Sequence, residues 1–213
     1  MIVAIDGPAA SGKSTVARAL AARLGLTFLD TGAMYRAVTL AALERGVDPS
    51  DGSACATLAN DLELLFDETG QILIDGEAGE PRIRGRKVDA SVSAVAAHPG
   101  VRRALVAKQR IAASGGAVAE GRDTTTVVFP EADHKFFLIA SPRERARLRA
   151  TQEGRPELES EYASELERRD RLDSTREDSP LRQAEDAVLV ATDGLEPEAV
   201  TPRLIDHIRG SEV

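Results

Sequence analysis

The sequence predicts an α/β fold: a parallel sheet flanked by helices, with a small antiparallel insertion. Three observations predict it. Short β-branched and apolar runs alternate with amphipathic helical segments along the chain. The first strand-to-helix junction is a glycine-rich turn, and residues 62–88 interrupt the alternation with a hairpin pattern. Strand and helix in strict succession imply right-handed crossovers, which build a parallel sheet.

Ile2–Asp6 is a short apolar run ending at glycine and proline, the mark of a buried parallel strand. Ser14–Leu24 follows with Val16, Ala17, Leu20, Ala21 and Leu24 at helical spacing, and Gly25 stops it. Thr27–Leu29 is a second strand leading to Asp30-Thr31-Gly32 and a helix from about Ala33 to Glu44. Strand-like runs at Leu62–Phe66 and Gln71–Asp75 flank Asp67-Glu68-Thr69-Gly70, a good hairpin turn, and Glu77–Arg86 could add a further short strand. Helical periodicity returns over Ala90–Ala97, breaks at Pro99 and resumes over Val101–Ala113. Ala117–Ala119 and Phe136–Ile139 suit core strands, and Ser141-Pro142 opens a helix with proline in its favoured first turn. Gly154-Arg155-Pro156 ends that helix; a charged helix from about Glu159 to Arg171, a strand at Ala187–Ala191 and a helix at Pro197–Ile208 complete the chain. The expected organisation is one domain over residues 1–213, with 62–88 inserted and 143–165 as a lid.

Composition narrows the partners. A net charge of −8 argues against broad binding to nucleic acid or an anionic membrane surface. No apolar run approaches the ~20 residues of a membrane span, and Met1–Asp6 lacks the basic flank of a secretory signal. The single cysteine, Cys55, cannot form an internal disulfide, which suits a reducing compartment. The expectation is a soluble, cytoplasmic monomer that works on small molecules. Among its basic residues only Lys13, Lys87, Lys108 and Lys135 are lysines, so arginine forks are the available phosphate clamps.

Gly7-Pro8-Ala9-Ala10-Ser11-Gly12-Lys13-Ser14 fits G-x-x-x-x-G-K-[ST], between a strand and a helix as that pattern requires. Its glycines let backbone N–H groups wrap an anion at a helix N-terminus. Lys13 can reach the β and γ phosphates, and the Ser14 hydroxyl can sit on Mg²⁺. Residues Gly7 to Thr15 (Gly7, Pro8, Ala9, Ala10, Ser11, Gly12, Lys13, Ser14, Thr15) are therefore expected to bind ATP. No lysine follows an asparagine, so a guanine-reading N-K-x-D segment is absent; the best acidic strand end, Ala117-Val118-Ala119-Glu120, is not the Asp-Glu end of a motor. A kinase acting on a small acceptor is the remaining enzymatic class. The alternatives are another small-molecule kinase, of shikimate, adenylate or dephospho-CoA type, and a non-enzymatic nucleotide sensor.

Further segments carry a resemblance. Asp30-Thr31-Gly32-Ala33-Met34-Tyr35-Arg36 resembles the D-[ST]-G-x-x-Y-R segment of bacterial cytidylate kinases. Glu120-Gly121-Arg122-Asp123, with Thr126-Val127-Val128-Phe129-Pro130 after it, resembles the family's [DE]-G-R-D-x-G-T-V-V-F-P block. Arg169-Asp170-Arg171-Leu172-Asp173-Ser174-Thr175-Arg176 resembles its R-D-x-x-D-x-x-R segment, and Ser93–Ala97, Pro99 and Val101-Arg102 match another. The blocks run in family order from residue 2 to 181.

The resemblance implies a P-loop kinase fold and transfer of a phosphoryl group from ATP to CMP or dCMP, with Mg²⁺. It implies that Thr31, Arg36 and Arg122 hold the acceptor phosphate with Arg176 nearby, that Ser93, Arg102 and Asp123 read cytosine, and that Arg169 and Asp173 bind the sugar. It makes Lys13, Arg122 and Arg176 catalytic, with Arg145 and Arg149 as lid arginines toward ATP. Isolated arginines on helices are usually solvated, a reading kept for Arg103, Arg168 and Arg171. After G-R-D the family has an apolar residue and then glycine, whereas this chain has Thr124-Thr125. If that glycine serves a positive φ or a close approach to the base, Thr125 is expected to strain the turn or narrow the pocket.

Overall fold

The computed structural model describes residues 1–210, the side chain of Pro197 apart. The chain forms two compact units: one is Met1–Phe28 with the chain from Gly116 onward, the other Leu29–Gly115.

The first unit carries the parallel sheet. Its strands are β1 (Ile2–Asp6), β2 (Thr27–Asp30, within which the chain passes to the second unit), β6 (Ala117–Gly121), β7 (His134–Ile139) and β8 (Val188–Ala191). The order is β2-β6-β1-β7-β8, and β1 pairs in parallel with β6 on one side and β7 on the other. This register sets Asp6, the last residue of β1, opposite Gly121 and Phe137. Helices α1 (Lys13–Leu24) and α8 (Pro197–Gly210) pack on the sheet. Val16, Ala17 and Leu20 of α1 and Leu204 and Ile208 of α8 join Val3, Ile5, Val118, Phe136 and Leu138 in one buried cluster. The helical spacing read in the sequence is thus the spacing that seats these helices. Gly25, at φ 66°, ends α1 in the left-handed conformation that favours glycine.

Two further helices, α6 (Pro142–Gln152) and α7 (Glu159–Thr175), pack on each other, joined through Gly154 at φ 66° and a 3₁₀ turn at Pro156–Leu158. Ser141 caps α6 by accepting from the Glu144 N–H. After β6 the chain makes a single π-turn, Thr124–Val128, which the sequence reading does not foresee.

The second unit holds α2 (Thr31–Glu44), α3 (Gly52–Asp61), α4 (Arg86–Ala97), α5 (Pro99–Ala112) and the antiparallel sheet β3 (Leu64–Phe66), β4 (Ile72–Ile74), β5 (Glu77–Ala78). The expected hairpin is present, its turn tied by the Asp67 carboxylate accepting from Thr69 and Gln71 N–H. Pro99 separates α4 from α5 as its missing N–H requires. Helix α3 lies outside the sequence expectations. Asp51 caps it through the N–H groups of Ser53 and Ala54, and Cys55, Leu58 and Ala59 form its buried face. Cys55 is a small buried apolar residue there, a free thiol that burial holds above its ordinary pKa.

Candidate active site

In the first unit, β1 delivers the chain into the glycine-rich loop and α1 receives it. Gly7 lies at φ 150°, and a Cβ on it would stand 2.0 Å from the Leu138 carbonyl oxygen, so no side chain fits. Gly12 caps α1 at φ 81°, and no side chain caps the helix or places an acid in its first turn. Those first amides and the helix dipole are the anion-binding end of α1. The Lys13 ammonium, buried in the loop, donates to the Pro8 carbonyl at 2.7 Å and faces the Ser11 hydroxyl at 3.5 Å. Burial pushes its pKa down to about 7; Arg122 and Arg169 push the same way, against Glu120 and Asp6. The Ser14 hydroxyl donates to Glu120 Oε1 at 2.5 Å.

Behind the loop lies Asp6, with none of its surface exposed. Its Oδ1 accepts from the Thr124 N–H (2.9 Å) and hydroxyl (2.7 Å), its Oδ2 from the Thr125 N–H (2.7 Å) and hydroxyl (2.6 Å). Burial pushes the Asp6 pKa up, while these four donated bonds pull it back. The expected strain at Thr125 does not arise. The non-glycine residues at positive φ among the described residues are Ala10, Asp75 and Ser179. Instead, both threonine hydroxyls turn inward to the carboxylate.

The first unit also gathers Arg122, Asp123, Asp173 and Arg176. Arg122 Nε donates to Asp173 Oδ2 at 2.9 Å, and Arg176 NH1 stands 3.7 Å from Asp173 Oδ1. Arg176 NH2 is 3.9 Å from Asp123 Oδ1, and its Nε donates to the Ser179 carbonyl at 2.6 Å. Burial would raise the Asp173 pKa, but the charges of Arg122, Arg169 and Arg176 hold it below the ordinary value. Arg122 moves upward: burial opposes this, and Asp173 and Glu120 outweigh it. Arg145 is buried, donating to the carbonyls of Ala9 and Ala140 and pairing with Asp170. Arg149, further along α6, pairs with Glu153 at 3.0 Å.

In the second unit Asp30 caps α2 by accepting from the Ala33 N–H, and Arg84 pairs with its other oxygen at 3.0 Å. Thr31, the first residue of α2, is buried. Arg36 is only 5% exposed, donating to the Ile83 carbonyl (3.0 Å) and to Asp89 (2.6 Å), so it is not a solvated surface arginine. Arg102 is likewise buried, bonded to the Ala96 carbonyl at 3.1 Å with its guanidinium 5.2 Å from the Tyr35 ring centroid. Ser93 is half-buried on α4. Arg103, Arg168 and Arg171 are exposed, as expected.

Among the carboxylates of these arrangements that were not picked out as site residues from sequence are Asp6, Asp89, Glu120 and Asp170. Asp6 and Glu120 each end an apolar strand beside the loop, a position that could have marked them. Nothing local marks Asp89, whereas Asp170 is a fixed position of the R-D-x-x-D-x-x-R segment.

A strand, a glycine-lined turn and a helix carrying Lys13 and Ser14 define a P-loop nucleotide-binding protein. Within that class, the profile for cytidylate kinase matches residues 3–210, and the chain belongs to the cytidylate kinase family. It is 53% identical over 221 residues to a bifunctional pantoate ligase/cytidylate kinase of Synechococcus sp. (strain CC9902), covering 98% of this chain and 45% of that protein. A protein of the same name from Prochlorococcus marinus (strain MIT 9303) is 52% identical, covering 98% and 44%. The chain thus spans less than half the length of these curated relatives. Among solved structures, an uncharacterized protein from Eubacterium ventriosum ATCC 27560 superposes with a TM-score of 0.53 at 11% identity over 98% of each chain, a likeness of fold alone.

Two expectations follow from this geometry. Asp6→Ala strands four buried donors and should cost at least about 3 kcal/mol in urea unfolding, whereas Thr125→Val removes one hydroxyl and should cost about 1 kcal/mol. Equal costs would contradict the four-bond description. The second concerns Lys13. Its pKa near 7 in the unliganded protein must rise against phosphates, so binding takes up a proton and affinity falls as pH rises above about 7, by at most about tenfold per pH unit. Calorimetry of ATP at pH 8 in two buffers of different ionisation heat should show proton uptake; equal heats would contradict it.

Proposed function

We propose that the chain transfers the γ-phosphoryl group of ATP to CMP or dCMP, giving ADP and CDP or dCDP. The observation that carries this reading is the build of the first unit. A phosphate cradle containing Lys13 follows β1, and the Arg122–Asp173–Arg176 cluster involves the turn after the adjacent strand β6.

The acceptor phosphate is already an anion near neutral pH, so the reaction needs no strong general base. It needs two polyanions held in line and charge stabilised on the transferring group. Residues 7–15 form the cradle, and its amides at the start of α1, with Lys13, hold the ATP phosphates. The oxygen pair of Ser14 and Glu120 fits Mg²⁺, an ion that takes one or two protein oxygens and keeps waters and substrate phosphates. Bound there, it would neutralise phosphate charge. In the first unit Arg122 and Arg176 are proposed for the acceptor phosphate, Asp123 for the base, and Arg169 and Asp173 for the sugar. In the second, Thr31 and Arg36 are proposed for the phosphate and Ser93 and Arg102 for the base. Arg145 and Arg149 are the lid arginines proposed for ATP, although Nε and NH1 of Arg145 already donate to Ala140, Ala9 and Asp170.

Cytosine presents an N4 amino donor beside the N3 acceptor, and uracil presents the reverse. A carboxylate such as Asp123 accepts from N4 and an arginine such as Arg102 donates to N3 or O2, so UMP leaves buried groups unpaired. A second reading is favoured by one contact: Asp123 faces Arg176 at 3.9 Å, so it could serve only to hold that arginine. The protein is proposed to act as a monomer in the cytoplasm. No helix among the described residues is long and apolar enough to cross a membrane.

ADP release measured with CMP, dCMP, UMP, AMP and shikimate tests the proposal. CMP and dCMP should stimulate release far above the others. Release indifferent to CMP would favour a nucleotide sensor, and preference for AMP or shikimate would overturn the acceptor. Asp123→Asn should lower kcat/KM for CMP by roughly 10- to 1000-fold and shrink the CMP-to-UMP ratio, as expected for a buried charged hydrogen bond. A lower activity with a constant ratio would favour the Arg176-holding reading.

A further inference from the structure

The crest of the phosphate loop is gripped from outside the loop by an ion pair between Arg145 and Asp170. Ala9 is the residue gripped. Its N–H donates to Asp170 Oδ1 at 3.2 Å, and its carbonyl accepts from Arg145 NH1 at 3.2 Å. Arg145 and Asp170 are bonded to each other, and Arg145 Nε is anchored on the Ala140 carbonyl at 3.2 Å. One pair from α6 and α7 therefore holds both polar groups of a single loop residue. Apolar packing reinforces it, since Ala9 lies in a buried cluster with Ala146 of α6 and Leu166 of α7, with Ala10 and Ala163 against it.

The next residue explains why such a grip is needed. Ala10 stands at φ 58°, a left-handed conformation that L side chains rarely adopt. Such a backbone persists only where its surroundings over-determine it. Fixing both hydrogen-bonding groups of Ala9 does this at the preceding peptide, and the cluster holds the Ala10 methyl. Asp170 does not compete with a phosphate at the α1 N-terminus: the amide it takes is Ala9, four residues before Lys13. It shapes the loop rather than filling it.

We propose that Asp170, acting through and with Arg145, is a positioning residue that keeps the loop crest in its phosphate-accepting shape, so that the packing of α6 and α7 sets affinity for a nucleoside di- or triphosphate. This rests on the reading of the loop as the ATP site. Atoms of neither residue need touch the nucleotide.

The test uses the whole chain and ADP as the probe, with affinity read by calorimetry and folding by thermal melting. Wild type is measured first; failure to bind ADP would sink the ATP-site reading itself, before any variant is made. Asp170→Ala should weaken ADP binding about tenfold or more, while CMP affinity, measured without ADP, changes by less. Ala10→Gly alone is measured as the reference for the double variants, because glycine adopts the left-handed region freely. Added to Asp170→Ala it should recover at least half of the lost binding free energy, since the loop then no longer needs to be held in a costly conformation. A merely structural role in α7 would not be rescued at Ala10. Arg145→Met, alone and with Ala10→Gly, is measured in parallel and decides the question if Asp170→Ala does not fold. Unchanged ADP affinity in the single variants, equal losses for ADP and CMP, or no recovery in the double variants would each overturn the proposal.

Discussion

A carboxylate removed from water has to be answered by donors or neutralised, and an unanswered one costs several kcal/mol. Asp6 is answered four times, by both the amides and the hydroxyls of Thr124 and Thr125. Much of the first unit depends on this arrangement, because Asp6 immediately precedes Gly7, which the Leu138 carbonyl crowds on its other side. The chain leaving β1 is thus held between two fixed points before the phosphate loop begins. The same bonds hold the turn that carries Arg122 and Asp123. The Ser14–Glu120 bond ties the loop to β6 a second time. Cradle and arginine cluster are therefore positioned by one framework and not by independent loops, the kind of preorganisation that electrostatic catalysis requires.

The charges of this unit are balanced in a way that suits anionic ligands. Burial and the charges of Arg122 and Arg169 weaken the Lys13 ammonium while Glu120 and Asp6 support it, so it is only weakly retained near neutral pH. Asp173 sits among three guanidinium groups that keep it ionised. Carboxylates thus hold the arginines in place. Phosphates arriving at the loop would restore the favourable field that burial takes from Lys13.

The P-loop was legible because its information is local. Glycines at fixed offsets, a lysine, a hydroxyl, and a strand and helix in register all lie within the first 24 residues. The parallel strands were legible because burial on both faces leaves continuous apolar runs. Helix α3 was not, since Gly52-Ser53-Ala54 reads as a turn and its cap bonds appear only in three dimensions. The π-turn at Thr124–Val128 escaped for a related reason. Its stabilising partner is Asp6, 118 residues away in sequence, so the threonines read as a departure from the family pattern and not as donors. Arg36 and Arg102 are buried rather than solvated, a burial that their helical spacing does not signal and only their segments suggest. Asp89 as the partner of Arg36, and the pairing of Asp170 with Arg145, lay beyond local inspection because ion pairing across helices leaves no mark on spacing.

The most direct measurement of the central claim follows the phosphorus atom itself. The protein is incubated with ATP labelled in the γ-phosphate, with CMP and Mg²⁺ present, and the products are separated. On the proposed transfer to CMP, the label should appear in the β-phosphate of CDP, with little as inorganic phosphate. Label accumulating as inorganic phosphate, or remaining in ATP, would contradict it.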